Sequence, residues 1–292
     1  MSVSALTSKF IPALEVTEGA GVTVHRTIGT PALRNLDPFM LLDHIGSDDP
    51  DEYIAGFPSH PHRGFNTFTY MIDGYMEHKD SMGNTGNIGP GDAQWMKAAS
   101  GVIHSEMPKQ EHGLMQGFQL WINLPAHNKM EAPEYQEYKS DAFPLVEEAD
   151  HSVKVVVGRY AEAVSPIIDE ITEVNYLDVR VNSGGEFNCA LAKGFNGLLY
   201  VFQGEGRAND QAMPTHSLLT LNGDADPVVF IAGEQGARFL LISGKPIKEP
   251  VVQYGPFVMN TREEIEQAMH DYHSNNFVRD RAWVNRNKKS EV

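Results

Sequence analysis

His60-Pro61-His62 and His104-Ser105-Glu106 share one spacing, a single residue between one candidate metal ligand and the next. Side chains alternate along a β-strand, so positions i and i+2 face the same way. Each tripeptide on a strand would hold two donors side by side. Two such strands converging across a narrow barrel could offer three imidazoles and a carboxylate to one ion. Between His62 and His104 lie enough residues (104 − 62 = 42) for several short strands to double back. The donor set suits a borderline divalent metal such as Fe, Mn, Ni, Cu or Zn. On an octahedral ion it would leave two positions open, for a substrate oxygen and a small molecule.

Histidines on a surface or in a packed core give the same short patterns, and an internal repeat separates the readings. Arg63-Gly64-Phe65-Asn66 through Tyr70 to Gly74 recurs as Lys193-Gly194-Phe195-Asn196 through Tyr200 to Gly204, at a constant offset (194 − 64 = 130). A weaker match pairs Gly91-Asp92 with Gly223-Asp224 (223 − 91 = 132). Two matches in order point to a duplicated domain. An offset of 130 carries His60 and His62 onto Ala190 and Ala192. An offset of 132 carries His104 and Glu106 onto Gly236 and Arg238. The second copy thus lacks all four donors. Residues common to both copies read as scaffold, and those present only in the first read as candidates for chemistry.

The elements that must position these residues are strands. Phe65–Ile72 and Leu198–Phe202 are β-branched and aromatic runs closed by glycine, and Ile88-Gly89-Pro90-Gly91-Asp92 and Leu221-Asn222-Gly223-Asp224 are turn chemistry. Thr261-Arg262-Glu263-Glu264 has capping-box spacing, and Ile265, Met269 and Tyr272 follow at helical intervals. The expected fold is all-β, two tandem β-barrels with a C-terminal helix. Its expected spans are 1–130 for a metal-binding barrel, 131–150 for a connector, 151–261 for a metal-free barrel, and 262–292 for the helix and basic tail. The second barrel is expected to support the first without chemistry of its own.

Composition narrows the partners. The formal charge is −16, from 23 basic against 39 acidic residues, which disfavours direct binding to nucleic acid and suits protein partners better. The basic cluster Arg279, Arg281, Arg286, Lys288 and Lys289 reads as a frayed, solvated tail. No apolar run is long enough to cross a bilayer, and the first twenty residues show no secretory pattern. Cys189 is the single cysteine, so no intrachain disulfide can form and a cytoplasmic location fits. His25, His44, His78, His112, His127, His151, His216 and His270 stand singly in polar stretches and read as surface residues. His273 falls near the helix end, where a cation is favourable. Trp95 and Trp121 read as packing residues or as pocket walls.

With these residues in place the sequence resembles the pirin family of the cupin superfamily. His60-Pro61-His62-Arg63-Gly64-Phe65 is similar to the family's first motif, which Asp80-Ser81, Gly83-Asn84 and Gly89-Pro90-Gly91-Asp92 continue. Trp95-Met96 through Gly101-Val102-Ile103-His104-Ser105-Glu106-Met107-Pro108 is similar to the second, and Phe118–Pro125 and Gly255–Thr261 also match. The resemblance implies a bicupin of jelly-roll-like barrels. It implies one Fe(II) per chain, with Mn, Ni, Cu, Co or Zn as substitutes, on His60, His62, His104 and Glu106. Many relatives carry Glu where this chain has Asn66. The metal carboxylate of pirins is instead the one after the last histidine, here Glu106, and Asn196 at the matching place of the second copy favours a structural role for Asn66. Two functions follow from the resemblance. One is a quercetin 2,3-dioxygenase-like enzyme that opens a small aromatic flavonol with O₂ and releases carbon monoxide, Glu106 taking the 3-hydroxyl proton. The alternative is a metal-dependent regulatory protein that binds a protein partner without turnover.

Overall fold

The computed structural model describes residues 8–282 and 284–286. Strands make up most of it, and the described residues contain one α-helix. Two compact units are present, each a cupin-type β-barrel, as the repeat implied. Contact between segments draws their boundaries differently from the contiguous spans above. One unit joins Glu15–Ile28, Phe39–Ser140 and the described part of Ile247–Val292. The other joins the described part of Met1–Leu14 with Gly29–Pro38 and Asp141–Pro246. Phe10–Pro12 pairs with Ser217–Asn222 in the later barrel, and Glu134–Tyr138, expected in a connector, pairs with Ala93–Lys97 in the earlier one. Polarity along a chain marks where strands stop. It does not reveal which sheet edge an isolated strand will join.

The metal-candidate barrel is built around six strands: β1 (Phe57–His62), β2 (Phe65–Asp73), β3 (Met76–Asp80), β4 (Ala93–Lys97), β5 (Val102–Pro108) and β6 (Met115–Asn123). β2 lies between β4 and β6, antiparallel to both, in an eight-stranded core sheet, and its residues from Phe65 to Met71 are buried without alternation. β5 lies between β1 and β3 in a four-stranded sheet. Gly64 links β1 to β2 at φ +90°, and a Cβ there would run into the Val258 carbonyl oxygen. Only glycine fits that approach.

Helix α1 (Arg262–His273) begins with the expected capping box, Thr261 and Glu264 each satisfying the other's backbone N–H. Ile265 and Ala268 are buried with Phe257, Met259 and Phe277, and Met269 and Tyr272 pack against that cluster. The described part of the basic tail is anchored rather than frayed. Arg279 pairs with Asp271 at 2.6 Å, and Val284–Arg286 adds a parallel strand beside Glu134–Tyr138. Lys288 and Lys289 lie outside the described residues.

The second barrel uses β7 (Asn175–Val181), β8 (Glu186–Cys189), β9 (Asn196–Ala208), β10 (Ser217–Asn222) and β11 (Val228–Gly244). β9 lies between β10 and β11, as β2 lies between β4 and β6. Its interior is one apolar cluster that includes Leu199, Val201, Phe230, Phe239 and Leu241.

Strand pairing corrects the bookkeeping of the repeat. At an offset of 130, Thr69 matches Leu199 and His78 matches Ala208. Thr69 faces Gln119, whereas Leu199 faces Leu241 (241 − 119 = 122). His78 faces Glu106, whereas Ala208 faces Phe230 (230 − 106 = 124). The offset shrinks along the chain because the second copy has shorter loops. Glu106 therefore corresponds to Phe230 and His104 to Val228, not to Arg238 and Gly236. Gly91-Asp92 precedes β4, whereas Gly223-Asp224 follows β10, so that match is not structural. Neither Val228 nor Phe230 has a side chain that can ligate a metal, and the residue opposite Val228 is Cys189.

Candidate metal centre

His60 and His62 sit at the end of β1, and His104 and Glu106 on β5. His104 lies directly opposite His60, and the β1–β5 register shifts between His104 and Glu106, where Glu106 faces Phe57 and β1 carries the extra residue. The imidazoles of His60 and His104 are 4.5 Å apart between centroids, those of His62 and His104 4.9 Å. His60 Nδ1 lies 2.8 Å from the Pro58 carbonyl oxygen. A carbonyl only accepts, so Nδ1 carries the proton and Nε2 is left as a lone pair. That Nε2 is 3.0 Å from His62 Nε2, and His104 Nε2 is buried with no hydrogen-bond partner. Donor atoms of His60, His62 and His104 all lie within 4.8 Å of one another, and so do those of His78, His104 and Glu106. Two triads thus share His104.

These residues fit a divalent metal. Buried nitrogen atoms without partners are costly unless something fills the gap, and imidazole nitrogens with a carboxylate are the donors a borderline ion takes. Burial, reinforced by the neighbouring imidazoles, holds His62 and His104 well below the usual histidine range. Both are then neutral at pH 7, the form that ligates. Burial pushes the Glu106 carboxyl above its usual range, against the opposing effects of His60 and of hydrogen bonds from Thr69 and Gln119. Thr69 Oγ1 donates to Glu106 Oε1 at 3.2 Å, and Gln119 Nε2 lies 3.1 Å from both carboxylate oxygens. Trp121 and Phe65 stand against His62, each at 5.1 Å between centroids. His62, His104 and Glu106 are buried and His60 half-buried, so approach to the cluster is from the His60 side.

The histidines read as surface residues divide. His112, His127 and His270 are exposed, but His44 is buried, stacked on Phe118 at 4.6 Å. His78 is fully buried and belongs to the cluster. A signal for it was present. His78-Lys79-Asp80 repeats the i, i+2 pattern, and the offset of 130 carries His78 onto Ala208, one more donor missing from the second copy. Its polar immediate neighbours masked it. Burial pushes His78 down to about 4, against the opposing charge of Asp80. The roles of Thr69 and Gln119 were not legible, because nothing local marks a threonine or glutamine as a carboxylate's partner.

Trp95 is buried beside Phe68 and serves packing. Asn66 is buried with its Oδ1 unpartnered, whereas Asn196 donates to the Asp37 carbonyl at 2.7 Å. Arg63, next to His62, is buried. Its guanidinium donates to Asp271 at 2.7 Å and to the Ser100 and Phe277 carbonyls, fixing α1 and the segment after it to the end of β1. No described helix is long and apolar enough to cross a membrane.

Comparison with known proteins agrees with this architecture. The Pirin family model matches residues 21–122, and the model of the Pirin C-terminal cupin domain matches residues 176–278. A Pseudomonas aeruginosa protein, provisionally named a quercetin 2,3-dioxygenase, is 45% identical over 87% of this chain and 92% of its own length. Human pirin is 40% identical over 92% of this chain and 93% of its own. Among solved structures, a quercetin 2,3-dioxygenase from Acinetobacter baumannii superimposes with a TM-score of 0.84 at 32% identity. That match covers 93% of this chain and 97% of the other.

Proposed function

Because the chain belongs to the pirin family, we propose that it is a mononuclear iron protein that acts as a dioxygenase on quercetin-like flavonols. His60, His62, His104 and Glu106 are its metal ligands, and Glu106 is its base. The observation that carries this reading is the convergence of the His60 and His62 Nε2 atoms with the unpartnered Nε2 of His104, beside a buried carboxylate. The names of the Pseudomonas and Acinetobacter proteins support the substrate class.

When bound, a divalent iron supplies Lewis acidity toward a flavonol 3-oxygen and redox chemistry toward dioxygen. The chain does the rest. Glu106 accepts the 3-hydroxyl proton. Gln119 and Thr69 hold the carboxylate in one orientation, so it meets the hydroxyl without a search. Phe65 and Trp121 form an aromatic wall at His62 against which a planar substrate can stack.

The test is aerobic incubation of the iron-loaded protein with quercetin, following flavonol absorbance and evolved carbon monoxide. Loss of the absorbance with one carbon monoxide per flavonol supports the assignment. An iron-replete protein that leaves quercetin intact rules it out in favour of a metal-dependent binding protein.

A further inference from the structure

His78 is buried on β3, opposite Glu106 in the β3–β5 pairing, and its Nδ1 lies 3.2 Å from the Nδ1 of His104. We propose that His78 is a positioning residue: it accepts a hydrogen bond from His104 Nδ1–H and thereby holds His104 in the one tautomer whose Nε2 can ligate the metal. The inference rests on the metal site proposed above.

Two imidazole nitrogens at hydrogen-bond distance need one proton between them, so one donates and the other accepts. Were His78 the donor, His104 would carry its own proton on Nε2. Coordination through Nε2 would then be blocked; a buried Nε2–H without an acceptor remains in either arrangement, on His104 or on His78, so coordination is what separates them. With His78 as acceptor, His104 Nε2 becomes a lone pair aimed away from His78. Proximity supports the second arrangement, since His104 gives its Nδ1 to His78 while its ring lies 4.5 and 4.9 Å from those of His60 and His62, whose donor atoms fall within 4.8 Å of one of its own. His78 is then neutral with its proton on Nε2, which is buried without a hydrogen-bond partner, and its ring packs edge-on against Tyr135 at 5.3 Å between centroids.

Metal-bound histidines usually donate their second N–H to a carboxylate, a carbonyl or water, and that partner fixes the ring and tunes its basicity. A neutral imidazole is a weaker acceptor than a carboxylate. It fixes the tautomer while leaving His104 a neutral ligand, which suits a centre that already holds Glu106. The second barrel supports this reading by contrast, since the counterparts of His78 and His104 are Ala208 and Val228, both in the apolar core.

Titration of the metal-free protein with Co(II), read by affinity and by the visible ligand-field spectrum, tests the proposal. His78→Phe keeps a ring and removes the acceptor, as does the smaller His78→Leu should the phenylalanine not fold. Either should weaken Co(II) binding by about 10–100-fold and change the spectrum. His78→Asn puts an amide oxygen near the lost Nδ1, and it should restore most of the affinity and the native spectrum. Native affinity and spectrum in the acceptor-less variants would overturn the proposal, as would an asparagine variant no better than the phenylalanine. A wild-type protein that binds no Co(II) would instead remove the site itself. That result is distinguishable because it appears before any substitution is made.

Discussion

In the first barrel Thr69 faces Gln119 and His78 faces Glu106. At the same register positions of the second, Leu199 faces Leu241 and Ala208 faces Phe230. Every one of those four counterparts lies in the second barrel's apolar cluster. At these positions the second interior is stabilised by apolar burial, at roughly 1.5–3 kcal/mol for each large side chain. The first gives up part of that stabilisation to bury imidazoles and a carboxylate, and hydrogen bonds from Thr69 and Gln119 offset only some of the cost. Strand order and pairing are thus indifferent to chemistry. A handful of inward positions decides which barrel can hold a metal.

The largest effect should come from erasing that difference. The double variant His60→Ala, His104→Ala should lose tightly bound metal, with elemental analysis falling from one ion per chain to none. Grafting Ala190→His and Ala192→His into the second barrel should leave the count at one, because Val228 and Phe230 still stand at the register positions of His104 and Glu106. A second tightly held ion in the graft would show that two histidines suffice and that the comparison of interiors is wrong.

Next comes Glu106→Gln. The amide oxygen can still ligate but cannot accept a proton at neutral pH. Metal content should persist, while turnover of a flavonol drops by about 10²–10⁴-fold. A metal-replete variant with native turnover would place the base elsewhere.

The barrels also differ just after the histidine positions. Arg63 is buried on Asp271 in the first, whereas its counterpart Lys193 is exposed in the second. Asp271→Asn strands a buried guanidinium and should cost about 3–5 kcal/mol in denaturant unfolding at pH 7. Burial would raise the Asp271 carboxyl, but hydrogen bonds from Arg63 and Gln267 and the charges of Arg63 and Arg279 outweigh it and hold the group below its usual range. A carboxyl lowered in the folded state stabilises above its unfolded value, about 4, and that contribution is lost as pH falls through the folded value. The gap between wild type and variant should therefore be full at pH 7 and shrink below about pH 4. A gap independent of pH would mean that packing, not charge, fastens α1. Lys193→Met is the smallest change, expected within about 0.5 kcal/mol of wild type. A larger loss would show that the second barrel also depends on a cation there.

Much of this was legible in the residues. Spacing of two on strands placed His60 with His62 and His104 with Glu106, because side-chain alternation is local and holds wherever a strand forms. Thr261 and Glu264 announced the helix start, since a capping box is closed by residues three apart. The duplication was legible from Gly64, Phe65, Asn66 and their second copy. Pairing was not. The offset of 132 carried Glu106 to Arg238, when strand register gives Phe230, because loop lengths change the offset without leaving a mark in the strands. His78 looked like a surface residue among Glu77, Lys79 and Asp80. Only β5 lying between β1 and β3 buries it against His104 and sets it opposite Glu106. The same holds for Thr69, Gln119 and the Arg63–Asp271 pair, whose partners lie 37, 13 and 208 residues away. The sequence determined which side chains could bind a metal and which way each strand presents them. Which of them meet was decided by tertiary structure, because partners distant in the chain are chosen by the register of whole sheets.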